Sequence, residues 1–129
     1  MKIINSHREL EVYQIAFKTA LEIFEISKSF PNEELYALTI QIRKSSRSVP
    51  ANIAEAFRKR RYEKAFVAKL SDSEGEAAET QNWLDFSLAQ GYITNETHSR
   101  LDSRYEQILK MLVSMMVNPQ KWSIRTSRI

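Results

Sequence analysis

The chain has 129 residues, with 19 Lys and Arg against 16 Asp and Glu for a formal net charge of +3, a size that fits one domain able to bury a core without metal or disulfide staples. It contains no cysteine, which excludes disulfides, thiolate catalysis and cysteine-ligated zinc or iron–sulfur chemistry. Two glycines and three prolines are too few turn formers for a sandwich or barrel, so the pattern is that of helices joined by few loops.

The N-terminus, MKIINSHREL, lacks the long apolar run of a secretory signal, and no stretch reaches the roughly eighteen apolar residues of a membrane span. The expectation is a cytoplasmic protein with no membrane partner. Ser6 and Glu9 have capping-box spacing and open the first predicted helix. Two apolar rows follow at helical period, one of Leu10, Tyr13, Phe17, Leu21 and Phe24, the other of Val12, Ile15, Ala16, Ile23 and Ile26. Their combined width exceeds one core-facing stripe, so the helix either serves a subunit interface as well as a core or lies centrally under cover.

Pro31 ends that helix, and Asn32, followed by Glu33 and Glu34, is placed to cap the next. Leu35, Leu38, Ile42, Ser45, Ser46 and Val49 form its core face until Pro50 removes a backbone hydrogen bond, so the helix must kink or restart, with Ser48 available as a cap. The third helix keeps one row from Tyr62 through Phe66, Leu70, Ser73, Ala77, Thr80 and Leu84 to Leu88, and Gly91 is placed to close it. Its middle, 71–79, is small and acidic, a composition that lets a neighbouring helix approach closely. Thr94 can cap the fourth helix, whose row is Leu101, Tyr105, Ile108, Leu112 and Met115.

At 108–117 that helix is apolar nearly all round, too short for a membrane and too greasy for one stripe of a bundle, a second sign of association between subunits. Ile23 and Met116 are the positions expected to report on it. The predicted helices are therefore about 8–28, 34–58, 61–90 and 95–117, with a basic tail at 118–129 in which Trp122 can anchor the start. The fold class is all-α: an up-down-up-down four-helix bundle with a proline-kinked second helix, in one domain spanning 1–129.

The most unusual segment is 41–64. Eight Lys and Arg (Arg43, Lys44, Arg47, Arg58, Lys59, Arg60, Arg61 and Lys64) meet only Glu55 and Glu63 there, a local charge of +6. Such a run is commonly a solvated face, but it also suits the phosphates of RNA or DNA, and symmetry-related copies would multiply its field. Seven of these cations, Arg43, Lys44, Arg47, Arg58, Lys59, Arg60 and Arg61, are the candidate nucleic-acid contacts. A kink at Pro50 would bring the two groups to one end of the bundle, and otherwise they lie apart along it. Asn52 and Glu55, just after the proline on a core-turned helix, are candidate structural polar residues, expected to be largely buried and to bond either the backbone near Pro50 or a side chain such as Thr80.

Catalytic material is poor. His7 and His98 fall at helix starts where a solvated role is expected, glycines only at 75 and 91 leave no phosphate loop, and no serine has a nucleophile-elbow context. Glu74, Glu76 and Glu79 with Glu55 lack the i, i+3 histidine of carboxylate-bundle metal sites, so no metal and no cofactor is expected, and these acids read as a solvated or salt-bridged face. Trp83, Phe86 and Tyr92 lack interleaved cations and read as core or interface rather than a base-stacking platform.

In LEVYQ at 10–14, QIRKS at 41–45, VPANIAEAF at 49–57, ETQNWL at 79–84 and GYI at 91–93, the chain resembles the bacterial four-helix-bundle proteins first noticed as reading frames in intervening sequences of large-subunit ribosomal RNA genes. The resemblance covers about 8–117. It implies a ring-shaped homopentamer, related to the accessory variability determinant of diversity-generating retroelements, a protein that binds nucleic acid and a reverse transcriptase through a basic surface. Ala56 stands where that family usually has glycine, which favours helix continuing to Arg58. The resulting expectation is a non-enzymatic oligomeric accessory protein that contacts nucleic acid. A protein-interaction scaffold is the alternative, and an enzyme with an interface site the remote one.

Overall fold

The computed structural model describes residues 3–122. Four helices, α1 (Glu11–Ser27), α2 (Ile40–Arg58), α3 (Glu63–Ala89) and α4 (Asn95–Val117), carry the fold, with 3-10 turns at His7–Glu9, Asn32–Glu34 and Pro119–Lys121 and a π-helical turn at Leu35–Thr39. Short connections force consecutive helices to run antiparallel, and each packs on the next in chain order. Among helices that lie side by side, contact between α1 and α4 is the sparest, and two ion pairs from Arg100 and Arg104 to Glu22 tie that seam.

Helical periodicity places Val12, Ile23, Ile42, Ile53, Leu84 and Leu112 inside, all at most 2% exposed. Each such side chain contributes on the order of 1.5–3 kcal/mol by leaving water. At α1 the two rows differ, although Leu10, which opens the first, is 4% exposed and its Tyr13 and Phe24 are partly buried. Val12, Ala16 and Ile23 face the core, whereas Phe17 and Leu21 of the other row are 46% and 54% exposed. Ile23 is thus a core residue rather than an interface position, because Thr19, Ala20 and Ser27 complete its stripe and are small enough to admit α2 and α4. Met116 is half-buried, while Val113 and Val117 on the same apolar end are exposed.

Several termini differ from the sequence expectation. The Ser6–Glu9 capping box forms, but it caps the turn His7–Glu9, and α1 begins only after the extended residue Leu10. Asn32 does not cap: Pro31 precedes the 3-10 turn, and the Glu34 carboxylate accepts from the Leu38 amide instead. Glu34 also accepts from the Tyr92 hydroxyl at 2.8 Å, joining the α1–α2 and α3–α4 connections at one end of the bundle. Thr94 caps α4 as its position suggests. Gly91, at φ 79°, closes α3 with Tyr92 N–H donating to the Ser87 carbonyl and Gly91 N–H to that of Leu88, a Schellman closure.

Helix α2 runs through Pro50 without a restart, and the Ser48 hydroxyl donates back to the Lys44 carbonyl rather than capping a new helix. Non-helical backbone occurs earlier, at Tyr36 within the π-helical turn. Opposite Pro50, the buried Ser73 hydroxyl of α3 donates to the Val49 carbonyl at 2.8 Å, and the buried Thr80 and Ser45 hydroxyls lie 2.8 Å apart. The small residues of the α3 row therefore let α2 close in and supply the hydrogen bonds that this close packing requires.

Candidate nucleic-acid interface

The antiparallel topology gathers the start of α1, the end of α2, the start of α3 and the end of α4 at one end of the bundle. Residues 58–61 form the corner between α2 and α3, where four adjacent cations repel and the chain turns into solvent. Arg58, Lys59 and Arg61 are exposed, and among the described residues no carboxylate pairs with them. Arg60 is held more closely: its Nε donates to the Phe57 carbonyl at 2.8 Å and its guanidinium lies 3.6 Å from the Phe57 ring centroid. Arg8, Lys64 and Lys121 belong to the same end. The His7 imidazole is pushed down by burial and by the charges of Arg8 and Arg58, so it stays neutral near neutral pH and adds no charge there. Of the basic tail, Lys121 and Trp122 are described, with Trp122 packed against the core beside Leu10 and Met111, and Arg125 and Arg128 lie outside the described residues.

Arg43, Lys44 and Arg47 do not join that corner. With α2 unbroken, 11 to 15 residues separate them from Arg58, about 16–22 Å of helix. They stand instead along a groove between α1 and α2. The Arg43 Nε donates to the Ser27 hydroxyl at 2.7 Å, and the Arg43, Arg47 and Lys28 cations lie 4.7, 5.4 and 5.0 Å from the Phe24 ring centroid. Two adjoining hollows of about 800 and 460 Å³ share Phe24, Arg47 and Ala51, and exposed Phe17, Leu21, Ile40 and Tyr36 extend their apolar lining. The seven predicted contacts thus form two sites of different character, a polar corner and an apolar groove rimmed with cations.

Asn52 is half-buried and its amide donates to the Ser48 carbonyl at 2.9 Å, beside Pro50. Glu55 does not match the expected burial. Its side chain is 54% exposed and pairs with Lys69 of α3 at 3.2 Å, because position 55 falls on the rim of α2 while Ile53, Ala56 and Phe57 fill the core face. Thr80 bonds Ser45, not Asn52 or Glu55.

His98 also departs from a fully solvated role: it is partly buried, and its Nε2 lies 2.8 Å from the exposed Asp85 carboxylate across the α3–α4 seam. Asp102 completes a group whose donor atoms lie within 4.8 Å of one another, and Gln81 donates to both Asp102 and Glu106. These bonds lace α3 to α4. The i, i+4 spacing of His98 and Asp102 was readable in the sequence, but the partner Asp85 was not, since it arrives from another helix. Glu55, Glu74, Glu76 and Glu79 gather no such set among the described residues.

An all-α bundle of four antiparallel helices with a basic corner defines a class of helical proteins, and the comparisons with known proteins fix which one. The chain belongs to the 23S rRNA-intervening sequence protein family, whose model matches residues 8–114. A crystal structure of a protein of unknown function from the S23 ribosomal protein family of Bacteroides thetaiotaomicron VPI-5482 is 30% identical, covers 81% of this chain and 94% of its own, and superposes with a TM-score of 0.74. No curated protein matches the chain. No helix among the described residues is long and apolar enough to cross a membrane.

Proposed function

We propose that the chain is a non-enzymatic accessory protein, assembled as a homopentamer, that holds RNA or DNA by its phosphates at the basic corner. The observation that carries this reading is that Arg58, Lys59 and Arg61 are exposed and, among the described residues, have no carboxylate partner, with Arg8 and Lys121 at the same end of the bundle. Cations without acidic partners raise the local potential and attract a polyanion, and copies placed around a ring multiply that field. The pentamer, and a reverse transcriptase as possible protein partner, rest on the family resemblance, and the cytoplasm is the compartment that fits such partners. The apolar α1–α2 groove favours a second reading, a protein-interaction scaffold.

Titration of labelled RNA and duplex DNA separates the two. Phosphate contact predicts a log–log salt slope of about −0.7 to −0.9 per neutralised phosphate and little sequence preference. Arg58→Glu/Arg60→Glu/Arg61→Glu should weaken binding to unrelated sequences alike while leaving the assembled mass unchanged. If the wild-type protein binds neither polymer more tightly than this variant, the corner is a solvated face and the scaffold reading replaces it.

A further inference from the structure

We infer that the α1–α2 groove is the seat of the acidic face of α3 from a second copy of this chain, so that Arg43, Lys44 and Arg47 belong to a subunit joint and not to the nucleic-acid surface. The inference rests on the oligomeric part of the proposed function and says which faces meet. The groove is apolar at its base and cationic at its rim, and none of its three cations has an ion-pair partner among the described residues. Phe17, Leu21 and Ile40 remain between 46% and 54% exposed, a contiguous apolar surface that a lone bundle has no reason to keep.

The complementary surface lies on α3 of the same chain. Ala68, Asp72, Gly75, Glu79 and Asn82 repeat at helical spacing and are all exposed, and a Cβ built at Gly75 meets nothing within 4 Å. This face is narrow enough to sink between two helices, and its charge is opposite to that of the groove. Its carboxylates are weakly satisfied among the described residues: Asp72 pairs with Lys69 at 3.8 Å, and Glu79 accepts from the Trp83 indole. Neighbouring Glu76 is pushed up by burial and by Glu79 and Asp72, with only Lys44 opposing, a self-repulsion that cations from another chain would relieve. A small helix face laid into an apolar groove permits axes about 8–10 Å apart, and desolvates the guanidiniums over Phe24 together with the carboxylates that neutralise them. Since the two faces differ, the contact is heterologous, the type that closes into a ring.

Charge exchange tests this by light scattering after size exclusion. Lys44→Glu/Arg47→Glu and Asp72→Lys/Glu79→Lys, all at exposed positions, should each reduce the assembled mass to that of the monomer at micromolar concentration. All four changes in one chain should restore it. Gly75→Leu, where the isolated chain has open space, should keep its helical circular dichroism yet lose the assembly. Wild-type mass in the groove pair or in Gly75→Leu overturns the inference, as does a folded four-fold variant that stays monomeric. A monomeric wild-type protein would overturn the oligomeric reading beneath it as well, whereas a wild-type oligomer indifferent to these variants overturns the inference alone. RNA titration of the wild-type and four-fold proteins adds a separate readout: equal affinity is expected, and a loss above tenfold at unchanged mass would return Lys44 and Arg47 to the nucleic-acid surface.

Discussion

Glu76 sits where the chain works against itself. Its carboxyl is raised above the usual range by burial first and by Glu79 and Asp72, with Lys44 pulling the other way. A raised acid binds its proton more readily in the folded chain than in the unfolded one, so the stability withheld by its charge returns as pH falls through the folded pKa and is lost as pH rises. Glu76→Gln should therefore raise the unfolding midpoint near pH 7, with the advantage fading below about pH 4, where the wild-type carboxyl is protonated too. Urea or thermal unfolding across that range checks it, and a constant difference at every pH would assign the effect to something other than charge. Gly91 is a second position with one clear demand. At φ 79° any side chain is strained, and Gly91→Ala should cost about 1 kcal/mol, with Gly91→Asn losing less.

Between elements, the α2–α3 contact is specified by hydroxyls. Thr80→Val leaves the buried Ser45 hydroxyl with only its long 3.4 Å bond to the Ile42 carbonyl and should cost about 1–3 kcal/mol, whereas adding Ser45→Ala should recover part of that loss, since both partners are then gone. A double-mutant cycle showing simple additivity would mean the two hydroxyls do not interact. Helix number, the ends of α3 and α4, and most of the core were legible in the sequence because Leu, Ile and Phe at period 3.6, Gly91 and Thr94 are local signals. What was not legible depended on partners from elsewhere in the chain. Which α1 row faces inward is decided by the small Thr19 and Ala20 against α2 and α4, Glu55 is turned out by register and met by Lys69, and His98 is drawn in by Asp85. The cation run was visible as composition, but its division into a corner and a groove followed only from an α2 that does not restart at Pro50.

For the whole molecule, the proposed assembly would link stability to concentration. If copies bind only when folded, the thermal midpoint should rise as protein concentration is raised over two decades, and the charge-reversed groove variant should lose that dependence. A midpoint independent of concentration in the wild type would deny any coupling between folding and association. The unbroken course of α2 has a mechanical meaning. Its middle lines the groove and its last turn carries Arg58, so one continuous helix, with Pro50 inside it, joins the two cationic sites. Under the proposed assembly, a partner seated on the groove touches the same helix whose last turn, some 16–22 Å away, carries the corner, so that groove occupancy and the presentation of the corner to a polyanion would be linked through α2.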